Sequence, residues 1–281
     1  MTTDTVPLTL GFSPCPNDTY IFHALVHGLV DTGGLAFRER LEDVETLNRL
    51  ALEGALDVSK VSYHALGFLR DEYVLLRSGG ALGRGCGPLV VTRGAASMAE
   101  LRGKPIAVPG RYTTAVLLLR LFDPSLDNLV YLPFHEIMGA VARGEVAAGV
   151  IIHESRFTFP EYGLTKLLDL GEWWEGETGC PIPLGGIVAR RSLGREAVAA
   201  IDRALRASVV HARTNPGAAA GYIRAHSQEM SDEICAAHID LYVNDFSLQL
   251  GPEGEGAVAT LLQRAEASGI IPRSTAPLFE V

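Results

Sequence analysis

Cysteine, positive charge and long apolar runs are all scarce in this 281-residue chain. Its four cysteines, Cys15, Cys86, Cys180 and Cys235, are scattered and form no CxxC pair. A chain of this length buries enough core to need no disulfide staples, so these are expected to be reduced and mostly buried. Cys15 has no basic neighbour in sequence to lower its pKa, which argues against a nucleophile there. Lys and Arg total 24 against 33 Asp and Glu, a formal net charge of −9. Such a chain lacks the broad positive field that draws nucleic acid or an anionic membrane, and neither is expected as a partner. Uncharged stretches such as 19–30 and 178–189 fall well short of the ~18 to 20 residues of a membrane span. The opening residues 1–7 lack the basic and apolar regions of a secretory signal, so a cytoplasmic protein is expected.

Several chemical signatures are missing too. The glycine-rich stretch from Ser78 to Gly87 has neither the P-loop Lys-Ser/Thr nor GxGxxG spacing, so no nucleotide cofactor is expected. His23 and His27 sit four apart, but no HExxH surrounds them and no third ligand follows; no metal is expected, and one polar helix face is the plainer reading. There is no GxSxG nucleophile elbow.

What remains is a well-filled globular chain, 47% apolar and 20% charged, long enough for about two domains. Short β-type runs alternate with amphipathic stretches, which predicts an α/β protein with mainly parallel strands. Residues 8–12 read as a strand, broken by Ser13-Pro14-Cys15-Pro16. The two prolines are expected to hold off the next helix until about 19–27, with Asn17 or Asp18 as its cap. Further helices are expected at 44–53, 63–70, 113–122 and 137–143, and strands at 56–61, 106–108 and 146–152. The C-terminal part reads as mostly helical, at 196–214, 218–226, from 232, and 254–268. A faint echo lays Gly54 on Gly144 and places Tyr63 opposite His153. With no low-complexity linker, the expectation is two similar lobes: 1–93 plus 189–281, and 94–188. Ligands of open α/β sheets bind beyond the carboxyl ends of strands, which puts the site in the cleft between the lobes.

Three junctions should converge there. Ser13–Thr19 leads from a strand into a helix whose first N–H groups suit an oxygen-rich ligand, with Ser13 and Asn17 as neutral hydrogen-bonding partners. Asp18 would repel an anion, so capping suits it better. Thr113 and Thr114 open a helix and either cap it or meet a ligand; Arg111 nearby is a weaker candidate. The apolar run ending in Ile151-Ile152 delivers His153, followed by Glu154 and Arg156. An ordinary imidazole is half-charged near pH 6.5, so His153 can accept a proton near neutrality, although on spacing alone a hydrogen-bonded structural histidine is the plainer reading. Lys60, Val61 and Ser62 end the corresponding strand of the other lobe. There, Lys60 can attract a carboxylate and Ser62 can bond it, or the pair can be ordinary packing.

Four segments carry a resemblance: Gly11-Phe-Ser-Pro-Cys-Pro-Asn-Asp-Thr-Tyr-Ile-Phe, Leu41-Glu-Asp-Val-Glu-Thr-Leu-Asn, Val108-Pro-Gly-Arg-Tyr-Thr-Thr-Ala and Ile151-Ile-His-Glu-Ser-Arg-Phe-Thr. They resemble the 1,4-dihydroxy-6-naphthoate synthases of the futalosine route to menaquinone, and the likeness extends through Trp173-Trp174 and Val243-Asn-Asp-Phe-Ser. Tyr112 departs from the histidine expected before the paired threonines. The resemblance implies a two-lobed, periplasmic-binding-protein-like type II fold and a cofactor-independent carbon-carbon lyase acting on cyclic dehypoxanthine futalosine. It implies His153 as proton acceptor and a site for a carboxylate-bearing small molecule lined by Lys60, Val61, Ser62, Thr113 and Thr114. The alternatives are chorismate dehydratase of the same route and a non-catalytic solute-binding protein.

Overall fold

The computed structural model describes residues 6–227 and 231–280; the segment 1–5, part of the signal reading, lies outside the described residues. The chain begins with β1 (Leu8–Phe12), α1 (Pro16–Val26), β2 (Phe37–Leu41), α2 (Val44–Leu52), β3 (Val58–Ser62) and α3 (Tyr63–Leu69). It continues through β4 (Tyr73–Leu75), β5 (Ala81–Gly83) and β6 (Leu89–Thr92) to β7 (Ile106–Val108) and α4 (Thr114–Phe122). Then follow β8 (Leu129–Tyr131), α5 (Phe134–Arg143), β9 (Ala148–Ile151), α6 (Ser155–Thr158), β10 (Thr165–Asp169), α7 (Leu170–Thr178) and β11 (Ile182–Arg190). Five helices close the chain: α8 (Arg195–Thr214), α9 (Ala220–His226), α10 (Asp232–Tyr242), α11 (Asp245–Leu248) and α12 (Gly251–Ala267).

Two sheets organise these elements. The first runs β2-β1-β3-β11-β4, with β5 also on β11; the second runs β10-β6-β9-β7-β8. The strands are not mainly parallel, as alternation alone had implied. β1 pairs in parallel with β2 and β3, and β7 with β8 and β9, but every pairing of β6 and β11 is antiparallel. β6 carries the chain from the first sheet into the second, and β11 brings it back. A strand entering from the opposite lobe runs against those already present, so the crossings reverse the expected direction. β11 lies in the first sheet from Ile182 onward.

Helix starts are set by local chemistry. α1 begins at Pro16, three residues earlier than expected, because proline at the first helical position gives up an N–H that no carbonyl would accept. Neither Asn17 nor Asp18 caps it; both lie inside its first turn. Asp43 caps α2 by accepting from the N–H groups of Glu45 and Thr46, and Thr113 caps α4 by accepting from Val116. Gly144 ends α5 in the left-handed region at φ 74°, where a side chain would be strained. One large core cluster reaches across both sheets, joining Val61, Tyr63 and Leu82 to Val90, Leu117 and Trp174. Tyr63 is fully buried there, so the echo that matched it to His153 has no counterpart at the cleft.

Candidate functional site

A cleft lies between the sheets, and its wall is drawn from both. On the first-sheet side it is lined by Ser13 after β1, Asn17 and Asp18 in the first turn of α1, and Lys60 and Ser62 from β3. Alternation along a strand sends successive side chains to opposite faces, so Lys60 and Ser62 meet the cleft while Val61 packs into the core. That corrects the expectation for Val61. Lys60 and Asp18 form a buried ion pair at 2.6 Å. Asp18 also accepts from the Ser13 hydroxyl at 2.7 Å, the Ser13 N–H at 3.2 Å and the Asn17 amide at 2.9 Å. Burial alone would raise the Asp18 pKa, but the Lys60 ammonium and the donors from Lys60 and Ser13 outweigh it and hold the carboxyl below its ordinary value. Asp18 therefore anchors the cleft floor. Its charge is already matched by Lys60.

Ser62 exchanges two bonds with Asn48 of α2: its N–H donates to the Asn48 carbonyl at 2.8 Å, and its hydroxyl accepts from the Asn48 amide at 3.1 Å. Asn48 is fully buried.

On the second-sheet side the first residues of α4, Thr113, Thr114 and Ala115, line the cleft. Both threonine hydroxyls are committed as donors, Thr113 to the Gly110 carbonyl at 3.0 Å and Thr114 to the Leu184 carbonyl at 2.6 Å. The loop before them is clasped from across the cleft by Glu45, whose carboxylate accepts from the N–H groups of Arg111 at 2.8 Å and Tyr112 at 3.1 Å. Burial raises the Glu45 pKa, while these backbone donors and Asn48 oppose the rise. Arg111 itself is exposed and faces a neighbouring surface groove with Asp43 and Arg49.

His153 follows β9 and lines the same cleft. Among the described residues it alone, apart from glycines, has a positive φ, at 57°. Left-handed backbone costs a non-glycine residue about 1 kcal/mol or more, strain that tends to gather at working sites. The turn lets the chain leave β9 and begin α6 two residues later, with the ring half-buried beside Phe134 at 5.3 Å between centroids. Burial lowers the His153 pKa below its ordinary value; Glu154 and Asp18 oppose that, and Lys60 adds to it. The imidazole is thus neutral near pH 7 and able to take a proton. Arg156 does not meet Glu154. It pairs with Asp169 at 2.6 Å and bonds the Gly87 carbonyl.

Sequence reasoning missed His238 and Tyr242, which line the cleft from α10 with Cys86 and Pro88. Cys235, His238 and Tyr242 form one buried face at helical spacing, and that stripe was the available signal. The His238 ring lies 6.1 Å from that of His153, with 21° between planes, and 4.6 Å from that of Tyr242. Burial lowers the His238 pKa to about 3, and pushes the Cys86 thiol up to about 12. Cys15 is buried and its thiol is likewise pushed up, mainly by burial and then by Glu154. All four cysteines are free thiols, and three are buried. Trp173 and Trp174 do not reach the cleft: Trp173 packs on Phe122, and the Trp174 indole donates to the Pro181 carbonyl. Among the described residues no group of His, Cys, Asp or Glu is placed to hold a metal ion. His23 and His27 pack at a tilt against each other, and Tyr222 meets both, edge-on at His27.

The described helices include none long and apolar enough to cross a membrane. A protein of Candida albicans with the generic periplasmic binding protein fold superposes at a TM-score of 0.68 and 13% identity, covering 96% of this chain and 92% of its own; that likeness speaks to the two-lobed α/β fold alone. A 1,4-dihydroxy-6-naphthoate synthase of Thermus thermophilus is 56% identical over 97% of this chain and 98% of its own. Another from Streptomyces coelicolor is 50% identical over 97% and 96%. A family model described as menaquinone biosynthesis matches residues 8–267, and with these near-full-length relatives it places the chain in the menaquinone biosynthesis family, among the 1,4-dihydroxy-6-naphthoate synthases.

Proposed function

We propose that the protein is a carbon-carbon lyase that releases 1,4-dihydroxy-6-naphthoate from cyclic dehypoxanthine futalosine, with His153 as the proton acceptor. His153 takes a proton from the sugar-derived ring. The electron pair left behind breaks the bond to the departing carbon fragment, and the bicycle becomes aromatic. The imidazolium then returns its proton to that fragment, so protons and electrons balance without an added oxidant or reductant. The observation that carries this reading is a strained, neutral imidazole held at the meeting of two lobes, inside a cleft that Ser13, Asn17, Lys60 and Ser62 also line.

The substrate carboxylate belongs at the start of α4. The Thr113 and Thr114 hydroxyl hydrogens are spent on carbonyls, so the donors on offer are the backbone N–H groups ahead of Val116, the Ser62 hydroxyl and the spare hydrogens of Lys60. The helix start adds a local positive pole despite the net charge of −9. The two sheets act as lobes, the chain crossing between them just before β6 and again just before β11, and their closure excludes water over the breaking bond. A cytoplasmic location, implied by the family resemblance, is part of this proposal.

The test is to incubate purified protein with cyclic dehypoxanthine futalosine and, separately, with chorismate. Naphthoate formed from the first, with no loss of chorismate, is the expected result. Chorismate consumption would transfer the protein to the sister reaction, and binding without turnover would make it a carrier. His153→Ala should keep substrate binding and lose about 100- to 10,000-fold in kcat. Near-normal turnover would remove His153 from the chemistry.

A further inference from the structure

We propose that His238 is a substrate-positioning residue whose Nδ1 accepts a hydrogen bond from a hydroxyl of the ring on which His153 acts, an inference that rests on the reading of His153 above. Asp18, ionised and paired with Lys60 at 2.6 Å, can only accept hydrogen bonds. The Asn17 group that meets it at 2.9 Å is therefore the amide NH₂. That turns the Asn17 carbonyl oxygen toward His238, whose Nε2 lies 3.0 Å away. A carbonyl cannot donate, so Nε2 carries the ring proton and Nδ1 is a bare acceptor. The chain Lys60, Asp18, Asn17 and His238 thus fixes one tautomer.

That acceptor has no partner among the described residues. His238 is fully buried, and its Nδ1 is shielded from solvent without a hydrogen bond. A buried acceptor left unmade is costly, and this one belongs to a ring lining the cleft. The depressed pKa of about 3 keeps the ring neutral across the working range, so it attracts a neutral donor rather than an anion. A sugar-derived ring offers hydroxyls. One accepted by His238 would hold that ring against the imidazole of His153, whose plane lies only 21° from that of His238. The two histidines divide the work. One moves a proton, while the other holds the ring still.

The experiment measures binding without turnover. In the His153→Ala background, the dissociation constant of cyclic dehypoxanthine futalosine is compared with and without His238→Phe, which keeps a flat ring against Tyr242 but removes the acceptor. About 10- to 100-fold weaker binding is expected with Phe, and partial recovery with His238→Gln, whose carbonyl can accept. Unchanged binding, with melting temperature retained, overturns the proposal. If the Phe variant does not fold, ¹⁵N NMR of His238 in the His153→Ala protein decides. Saturating substrate should move the Nδ1 resonance toward the hydrogen-bonded range and leave Nε2 protonated; an unmoved Nδ1 overturns the proposal. Should His153→Ala still turn over, the base assignment fails separately. His238 is then read from the KM of His238→Phe in the otherwise native chain, where a rise supports positioning and no change overturns it.

Discussion

On the first-sheet side of the cleft, Asp18 gathers Ser13, Asn17 and Lys60 around one carboxylate, and Asn17 passes that order on to His238. On the second-sheet side, His153 stands at the end of β9 in strained backbone, placed by ring packing against Phe134 and His238. The first arrangement is a closed network in which each member fixes the next. The second leaves the proposed base free to gain and lose a proton. The contrast places rigidity where His238 is proposed to hold the ring and reactivity where His153 is proposed to change it.

Breaking the network should cost more stability than removing the base. Lys60→Met strands a buried carboxylate and should lower unfolding stability by about 3 to 5 kcal/mol in urea denaturation. Lys60→Met with Asp18→Asn should recover part of that loss. His153→Ala should remain near the native value, and a large loss there instead would reverse the comparison.

Acid sharpens the same contrast. His64 is buried against the Thr113 carbonyl, and burial lowers its pKa to about 4; His238 sits at about 3. Both values lie below the ordinary 6.5, so the unfolded chain binds protons that the folded chain refuses. Stability is therefore full above about pH 6.5 and falls as pH drops below it, continuing down to the folded values. Between about pH 7.5 and pH 5.5 the two groups together should cost about 2 to 3 kcal/mol. His64→Phe should reduce the pH-dependent loss by about 1 kcal/mol, and an equal pH slope in the variant would exclude His64 as a contributor.

Smaller effects test the strain and the cap. His153→Gly should be more stable than His153→Ala by about 1 kcal/mol, because glycine accepts φ 57° freely. Equal melting temperatures would mean that the turn carries no strain. Thr113→Ala should cost about 1 kcal/mol or slightly less through the lost cap of α4, its bond to Val116 being long at 3.4 Å.

Much of this architecture was legible in advance. The strand at 8–12, the helices around 44–52 and 114–122, and the C-terminal helices follow from periodicity with Gly, Asp and Thr at the ends. The reversed direction of β6 and β11 was not, because local pattern records that a strand exists and not which sheet it joins. At the site, Ser13, Asn17, Lys60, Ser62, Thr113, Thr114 and His153 all line one cleft, since each sits at a strand end or helix start. Val61 does not, because strand alternation turns it away. Asp18 read as a cap because its partner Lys60 is 42 positions distant, beyond any local signal. His238 was missed for the same reason: its partner Asn17 lies 221 positions away, and only tertiary packing brings α10 to the cleft.

In the proposed mechanism His153 works as a neutral base with a pKa lowered by burial. The pH dependence of kcat/KM for the wild-type protein tests it most directly, measured where fluorescence shows the fold intact. The rate constant should fall toward acid, with its inflection below the ordinary histidine value of 6.5. An inflection clearly above 6.5, or a flat acidic limb down to the onset of unfolding, would contradict it.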